Sequence, residues 1–136
     1  MAKAFAYIAN PTQQTITGGG AVNVGTALHG FGCTRCGYTI QVAGGNIVLH
    51  DCGYYAVSIG ADVSDSAAGT VTLSLYQDGV LVAQSAETIA AADDPASIAF
   101  PAGIKVGNAN STLTLVISAS AGNPIVNSIY TTVLKA

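Results

Sequence analysis

Charged residues are scarce in this sequence of 136 residues, where Asp, Glu, Lys and Arg together make up only 8%. An ordinary soluble domain carries roughly a quarter. The four cations are scattered along the chain, at Lys3, Arg35, Lys105 and Lys135, and the formal net charge is −3. Proteins that bind nucleic acid neutralise phosphates with grouped Lys and Arg side chains. The sequence therefore predicts no nucleic-acid partner.

Long apolar runs are also missing, although 50% of the residues are hydrophobic and the mean hydropathy is +0.49. A membrane-spanning helix needs about 20 consecutive apolar residues, so we expect no membrane partner. The residues before Asn10 are too few for the apolar core of a secretory signal, and we expect synthesis and retention in the cytoplasm. A hydrophobic surface outside a membrane is commonly covered by other protein.

Helical periodicity is absent, and strand patterns take its place. In residues 69–77, Val71, Leu73 and Leu75 alternate with more polar residues, as in a strand with one buried face. No repeat or break in composition divides the chain. We therefore predict one all-β domain over residues 1–136, an antiparallel β-sandwich or jelly roll. The predicted strands are 4–9, 22–24, 38–42, 46–50, 53–65, 69–77, 80–82, 97–106, 112–119 and 125–134.

Turn signals separate these strands. Asp78-Gly79 is the strongest two-residue hairpin signal in the chain, and residues 43–45 (Ala-Gly-Gly) join two further strands. Several strands carry adjacent apolar residues, such as Tyr54-Tyr55, Val116-Ile117 and Val133-Leu134. Neighbouring residues of a strand point to opposite faces, so one member of each pair must face outward. We take this surplus apolar face to be a subunit interface.

The order of these segments resembles a known family. It comprises an apolar first strand, a Gly-rich turn at 18–20, Gly-Tyr-Tyr at 53–55, the hairpin at 69–82, and a closing pair at 113–117 and 129–134. This arrangement is similar to the trimeric jelly roll shared by tumour necrosis factor and the globular heads of the first complement component. The sequence resembles in particular small phage and prophage proteins that have this layout. The resemblance covers nearly the whole chain.

The resemblance implies a homotrimer whose strands pack around a threefold axis. The chain departs from cell-surface members in having neither a collagen-like stalk nor a secretion signal. We therefore expect a structural virion protein, a capsid decoration or short head-fibre protein of a bacteriophage that docks on the major capsid protein. The alternative is a receptor- or glycan-binding tip module of a phage fibre or bacterial surface protein, with a polar and aromatic loop cluster near His29 to Tyr38. The residues predicted for the threefold contact are Tyr55, Val57, Leu115, Ile117, Tyr130 and Val133.

A zinc site is one possible use of the cysteines. Cys33, Cys36, His50 and Cys52 provide the four ligand types of a structural zinc site, but the spacing of His50 and Cys52 is tight for one tetrahedral ion. A disulfide from Cys52 to Cys33 or Cys36 is a second alternative. We favour reduced, partly buried cysteines and expect no cofactor.

Catalytic patterns are weak, and we predict no enzyme. No G-x-S-x-G segment occurs, His29 is typical of a loop residue, and His50 and Asp51, as strand neighbours, point apart. The acid pairs Asp93-Asp94 and Asp62/Asp65 contain oxygen ligands of the kind that calcium prefers. Solvated turn acids are the simpler interpretation of both pairs.

Overall fold

The computed structural model describes residues 4–31, 39–107 and 110–136, except for the side chains of 29–31. These residues form strands and turns, without a helix that could cross a membrane. The strands are β1 (Ala4–Asn10), β2 (Gln14–Thr15), β3 (Gly20–Val22), β4 (Thr26–Phe31), β5 (Ile40–Ala43), β6 (Asn46–Leu49), β7 (Gly53–Asp65), β8 (Gly69–Gln77), β9 (Val80–Ile89), β10 (Ala96–Val106), β11 (Ser111–Ala119) and β12 (Pro124–Lys135).

Two antiparallel sheets pack face to face. The first, which we call the front sheet, has the order β10-β7-β12-β1-β4, with β2 beside β12. The back sheet has the order β5-β6-β11-β8-β9, with β3 beside β11. The predicted antiparallel jelly roll is therefore confirmed. Strands β2 and β4 were not predicted, and β9 extends well beyond the predicted 80–82.

The core lies between the two sheets, and alternation along the strands builds most of it. In β7, the odd-numbered residues from Tyr55 to Val63 are buried, whereas Tyr54, Ala56 and Ser58 face outward. In β8 the predicted inward set, Val71, Leu73 and Leu75, is fully buried. Each sheet therefore contributes one apolar face to the core, as a sandwich requires.

The Asp78-Gly79 hairpin joins β8 to β9 as predicted. Both residues adopt positive φ angles, 50° for Asp78 and 84° for Gly79, as a type I′ turn requires. The Asp78 carboxylate also accepts hydrogen bonds from the Thr112 amide and the Ser111 hydroxyl, each at 2.9 Å. This turn is therefore anchored to the neighbouring strand β11.

Candidate functional site

The outer face of the front sheet carries part of the apolar surface that the sandwich leaves exposed, and Val80 and Leu81 on β9 carry another part. The pairing of β10, β7, β12 and β1 places its outward residues in three parallel rows. The rows are Gly103-Ala56-Leu134-Phe5, Pro101-Ser58-Thr132-Tyr7 and Ala99-Gly60-Tyr130, the last of which ends beside the buried Ala9. No residue in these rows is charged, so a partner could cover them without desolvating an ion.

One half of this face is raised by large side chains. We call Phe5, Tyr7, Tyr130 and Leu134, on β1 and β12, the large half. Leu134 is 47% exposed and Tyr130 42% exposed, and the rings of Tyr7 and Tyr130 stack across the two strands. A large apolar side chain that stays exposed in the folded subunit is still available to bury against a partner.

The other half of the face is low. We call the outward residues of β7 and β10 in the same rows (Ala56, Ser58, Gly60, Ala99, Pro101 and Gly103) the small half. A Cβ atom added to Gly60 or to Gly103 would meet no atom within 4 Å. The space above these two glycines is therefore open, and the face combines a raised half with a shallow one.

Charged side chains mark two ends of the face. Asp62, on β7, is exposed beyond the last row. At the opposite end, the Lys105 ammonium lies 5.8 Å from the ring centroid of Tyr54, which is within cation–π range. Tyr54 is 64% exposed. The arrangement is an apolar surface with a polar rim, the pattern typical of protein interfaces.

Five of the six predicted contact residues need a correction. Tyr55, Val57, Leu115, Ile117 and Val133 are all buried between the sheets of a single subunit, at 2% exposure or less. They have no area left to bury against another copy. Their sequence neighbours Tyr54, Leu134 and the half-buried Val116 point outward instead. Only Tyr130, of the predicted set, lies on the outer face.

The predicted zinc ligands are only partly within the described residues. Cys33 and Cys36 lie outside them, as does most of the predicted loop cluster. The His50 Nδ1 atom lies 2.7 Å from the Asn110 Oδ1 atom, and Nε2 lies 2.8 Å from the Gln41 Oε1 atom. Because both ring nitrogens already have partners, this arrangement argues against His50 as a zinc ligand.

Cys52 and the acids near it form no metal cluster with other described residues. Cys52 is an exposed free thiol, not the partly buried one expected. Asp51 accepts a hydrogen bond from the Thr39 hydroxyl at 2.9 Å, so it uses a different partner from His50. Within the described part of the chain, no group of three or more His, Cys, Asp or Glu side chains is placed to hold a metal.

Tyr55 is a titratable residue that is buried in the core. Its hydroxyl donates a hydrogen bond to the backbone carbonyl of Asp51 at 2.7 Å. Burial disfavours the phenolate and, together with the negative charge of Asp51, raises the pKa of Tyr55 to about 12. The group is therefore a structural hydrogen-bond donor at neutral pH.

Comparison with known proteins bears on the fold. No protein-family model matches the chain, and no curated protein matches it. The structure is similar to Eiger TNF from S. frugiperda, with a TM-score of 0.66, 13% identity, and coverage of 98% of this chain and 91% of that one. For murine APRIL the TM-score is 0.65, the identity 12% and the coverages 98% and 99%.

The globular domain of zebrafish complement 1qA is also similar, with a TM-score of 0.63, 10% identity and 94% coverage of each chain. Likeness at this level of identity shows the fold alone. The chain therefore has the jelly-roll fold of tumour necrosis factor and complement 1q heads, as the sequence resemblance implied.

Proposed function

We propose that the protein is a non-enzymatic structural or binding module that works as a homotrimer, assembled through the outer face of the front sheet. The observation that carries this proposal is the three uncharged rows of outward residues, raised on one half and open on the other. Exposed aromatic and aliphatic side chains on such a face favour association because each one removes apolar area from water.

The two halves of the face are complementary, so the large half of one subunit can cover the open small half of another. This pairing is possible in a two-fold dimer, where each large half covers the other subunit's small half, and in a ring, where each covers that of the next copy. We infer a ring of three copies because the resemblance to the trimeric jelly rolls implies one.

Hydroxyl-radical footprinting of the protein in solution tests this proposal. Leu134 and Leu81 are almost equally exposed in one subunit, at 47% and 46%, but Leu81 lies on β9, outside the outer face. We expect Leu134 to be strongly protected and Leu81 to be oxidised readily. Equal oxidation of the two leucines would contradict the proposal.

The finer roles remain predictions from the sequence. Decoration of a phage capsid, with the major capsid protein as docking partner and the virion as location, would be tested by finding the protein in purified particles at a fixed copy number. The alternative of a receptor- or glycan-binding tip would be tested by a glycan array. In both roles the trimer provides repeated, identically oriented binding surfaces.

A further inference from the structure

A second surface of the subunit gathers polar side chains on the outer face of the back sheet. The pairing of β5 with β6 and of β6 with β11 places Gln41, Val48 and Thr112 side by side. Asp78 continues this row, because its amide donates a hydrogen bond to the Thr112 carbonyl at 2.9 Å. The neighbours of Val48 and Thr112 along their strands are buried in the core. The row itself therefore faces outward.

His50 holds two exposed carboxamides at one end of this row. The His50 Nε2 atom lies 2.8 Å from the Gln41 side chain, and Nδ1 lies 2.7 Å from the side chain of Asn110. A carboxamide has two polar groups, a carbonyl oxygen and an NH₂ group. Because one group of each carboxamide faces the ring, the other is left for a ligand. The imidazole thus fixes two hydrogen-bonding groups in place before a ligand arrives.

The carboxylate at the other end of the row is also fixed and still has capacity to bind. The two oxygens of Asp78 accept hydrogen bonds from the Thr112 amide and the Ser111 hydroxyl, each at 2.9 Å. An ionised carboxylate offers about four acceptor positions, so about two remain. Asp78 is exposed, and a ligand can therefore reach these positions from solvent.

Apolar surface lies next to the polar groups. Val48, in the middle of the row, is half-buried, and so is Tyr76, which pairs with Thr114 in the adjacent row. Aliphatic and aromatic side chains at such positions can cover the C–H face of a sugar ring. Each sugar hydroxyl is both a donor and an acceptor, which suits carboxamides and a carboxylate together. The row and the two carboxamides contain no cation, so an anionic ligand would find no ion pair here.

We propose that this surface, which we call the polar surface (Gln41, His50, Asp78, Asn110 and Thr112), binds a neutral sugar. The carboxamides and the carboxylate bond to its hydroxyls, while Val48 contacts its C–H groups. The inference deepens the binding role within the proposed function. Because the back sheet lies opposite the proposed assembly face, a trimer displays three such surfaces outward. A repetitive glycan that reaches more than one of them gains avidity.

Titration of the isotope-labelled full chain, followed by nuclear magnetic resonance, tests the site. The probes are methyl glucoside, methyl galactoside, methyl mannoside and N-acetylglucosamine, each raised to about 50 mM. Because a monosaccharide is a small ligand, we expect a Kd in the millimolar range for at least one of them. The side-chain NH₂ resonances of Gln41 and Asn110 should shift. No shift with any probe, or shifts confined to the front sheet, would overturn the proposal.

Variants of the polar surface then locate the binding. Gln41→Ala removes one hydrogen-bonding group and should weaken the binding of the same sugar about tenfold. Gln84→Ala removes an exposed glutamine from β9 on the same side of the sheet and should bind normally. Thr112→Val keeps the shape of the side chain, should also weaken binding, and serves if Gln41→Ala does not fold. Undiminished binding in the folded variants would contradict the site.

Sugar binding and assembly can fail separately, because each subunit carries the whole polar surface. The molecular mass of the same samples in solution distinguishes the two. Sugar binding by a protein with the mass of one chain would support the polar surface and contradict the trimer. A trimer that binds none of the four sugars would support the assembly and overturn this inference.

Discussion

The rings of Tyr7 and Tyr130 lie parallel to each other, with their centroids 6.4 Å apart and their planes 3° apart. The two residues come from neighbouring strands, β1 and β12, and sit diagonally across the pairing of Tyr130 with Ala9. Stacked aromatic side chains hold each other in place. The two tyrosines therefore lose little further side-chain freedom when a partner covers them. The pair therefore forms a rigid raised feature on the outer face of the front sheet.

A charge on the large half should break the assembly but leave the subunit folded. Leu134→Asp places a carboxylate where a second copy would bury it, and we expect the concentration for half dissociation to rise by at least about tenfold. Light scattering during gel filtration measures this concentration. The control, Ser118→Asp, adds the same charge at an exposed position of β11 in the back sheet. Equal effects of the two changes would argue against the face.

A large side chain placed on the small half should also weaken the assembly, in this case by a steric clash with the neighbouring subunit. In Gly60→Phe, the new Cβ atom meets no atom within 4 Å, and an aromatic residue suits a strand better than glycine does. We expect a folded subunit, unfolding at the same urea concentration or a higher one, that no longer associates. Ser118→Phe, on the back sheet, is the matched control and should associate normally. Normal association of Gly60→Phe would show that the small half is not covered.

A charge in the core should unfold the protein. Ile117 is fully buried, so Ile117→Asp combines lost packing with a buried charge and should cost more than about 4 kcal/mol. The neighbouring Val116 points to the outer side of the back sheet, and Val116→Asp should stay folded. Circular dichroism and urea unfolding measure the difference. A folded Ile117→Asp subunit that has only lost its association would restore the sequence-based assignment of Ile117 to the interface.

Val116 and Ile117 illustrate which features of the fold could be predicted from the sequence and which could not. Alternation in 53–65 and 69–77 predicted both strands with their correct ends, and the Asp78-Gly79 signal predicted the hairpin between β8 and β9. The adjacent pairs Tyr54-Tyr55 and Val133-Leu134 predicted that one apolar residue of each would face outward. Alternation cannot say which member does so, because it fixes the relative orientation of residues and not the side on which the second sheet packs.

The polar sites were less predictable for a different reason. Asp65 is buried at the end of β7, where the loop at 90–95 and the turn at 120–123, both distant in the sequence, pack beside it. His50 likewise finds partners in Gln41 and Asn110, on separate segments. Burial and partnership of a polar side chain depend on long-range packing, for which a single sequence gives no local signal.

One buried hydroxyl should be dispensable. Thr131, on β12, faces the core, is almost completely buried, and its Oγ1 atom has no hydrogen-bond partner. Thr131→Val keeps the shape and removes the unpaired group, so we expect the free energy of unfolding to rise by about 1 kcal/mol. Chemical unfolding measures it, with the half-buried Thr114→Val on the back sheet as the control of small effect. A loss of stability in Thr131→Val would mean that the hydroxyl has a partner in solution.

The buried tyrosine should be visible in an alkaline titration. Because burial raises the pKa of Tyr55 to about 12 in the folded state from 10.0, its contribution to stability is complete below pH 10.0 and is lost as the pH rises towards about 12. Ultraviolet difference spectra should show a tyrosine ionising near the upper value in the native protein. That transition should be missing from Tyr55→Phe. Its persistence in the variant would assign it to another tyrosine.

The molecular mass in solution tests the central claim most directly. Sedimentation equilibrium over a wide range of protein concentration should give three times the chain mass of 13.5 kDa, because we propose that the uncharged face of the front sheet is covered in a closed ring of three copies. A mass of one chain that persists to millimolar concentration would contradict self-association through the front sheet.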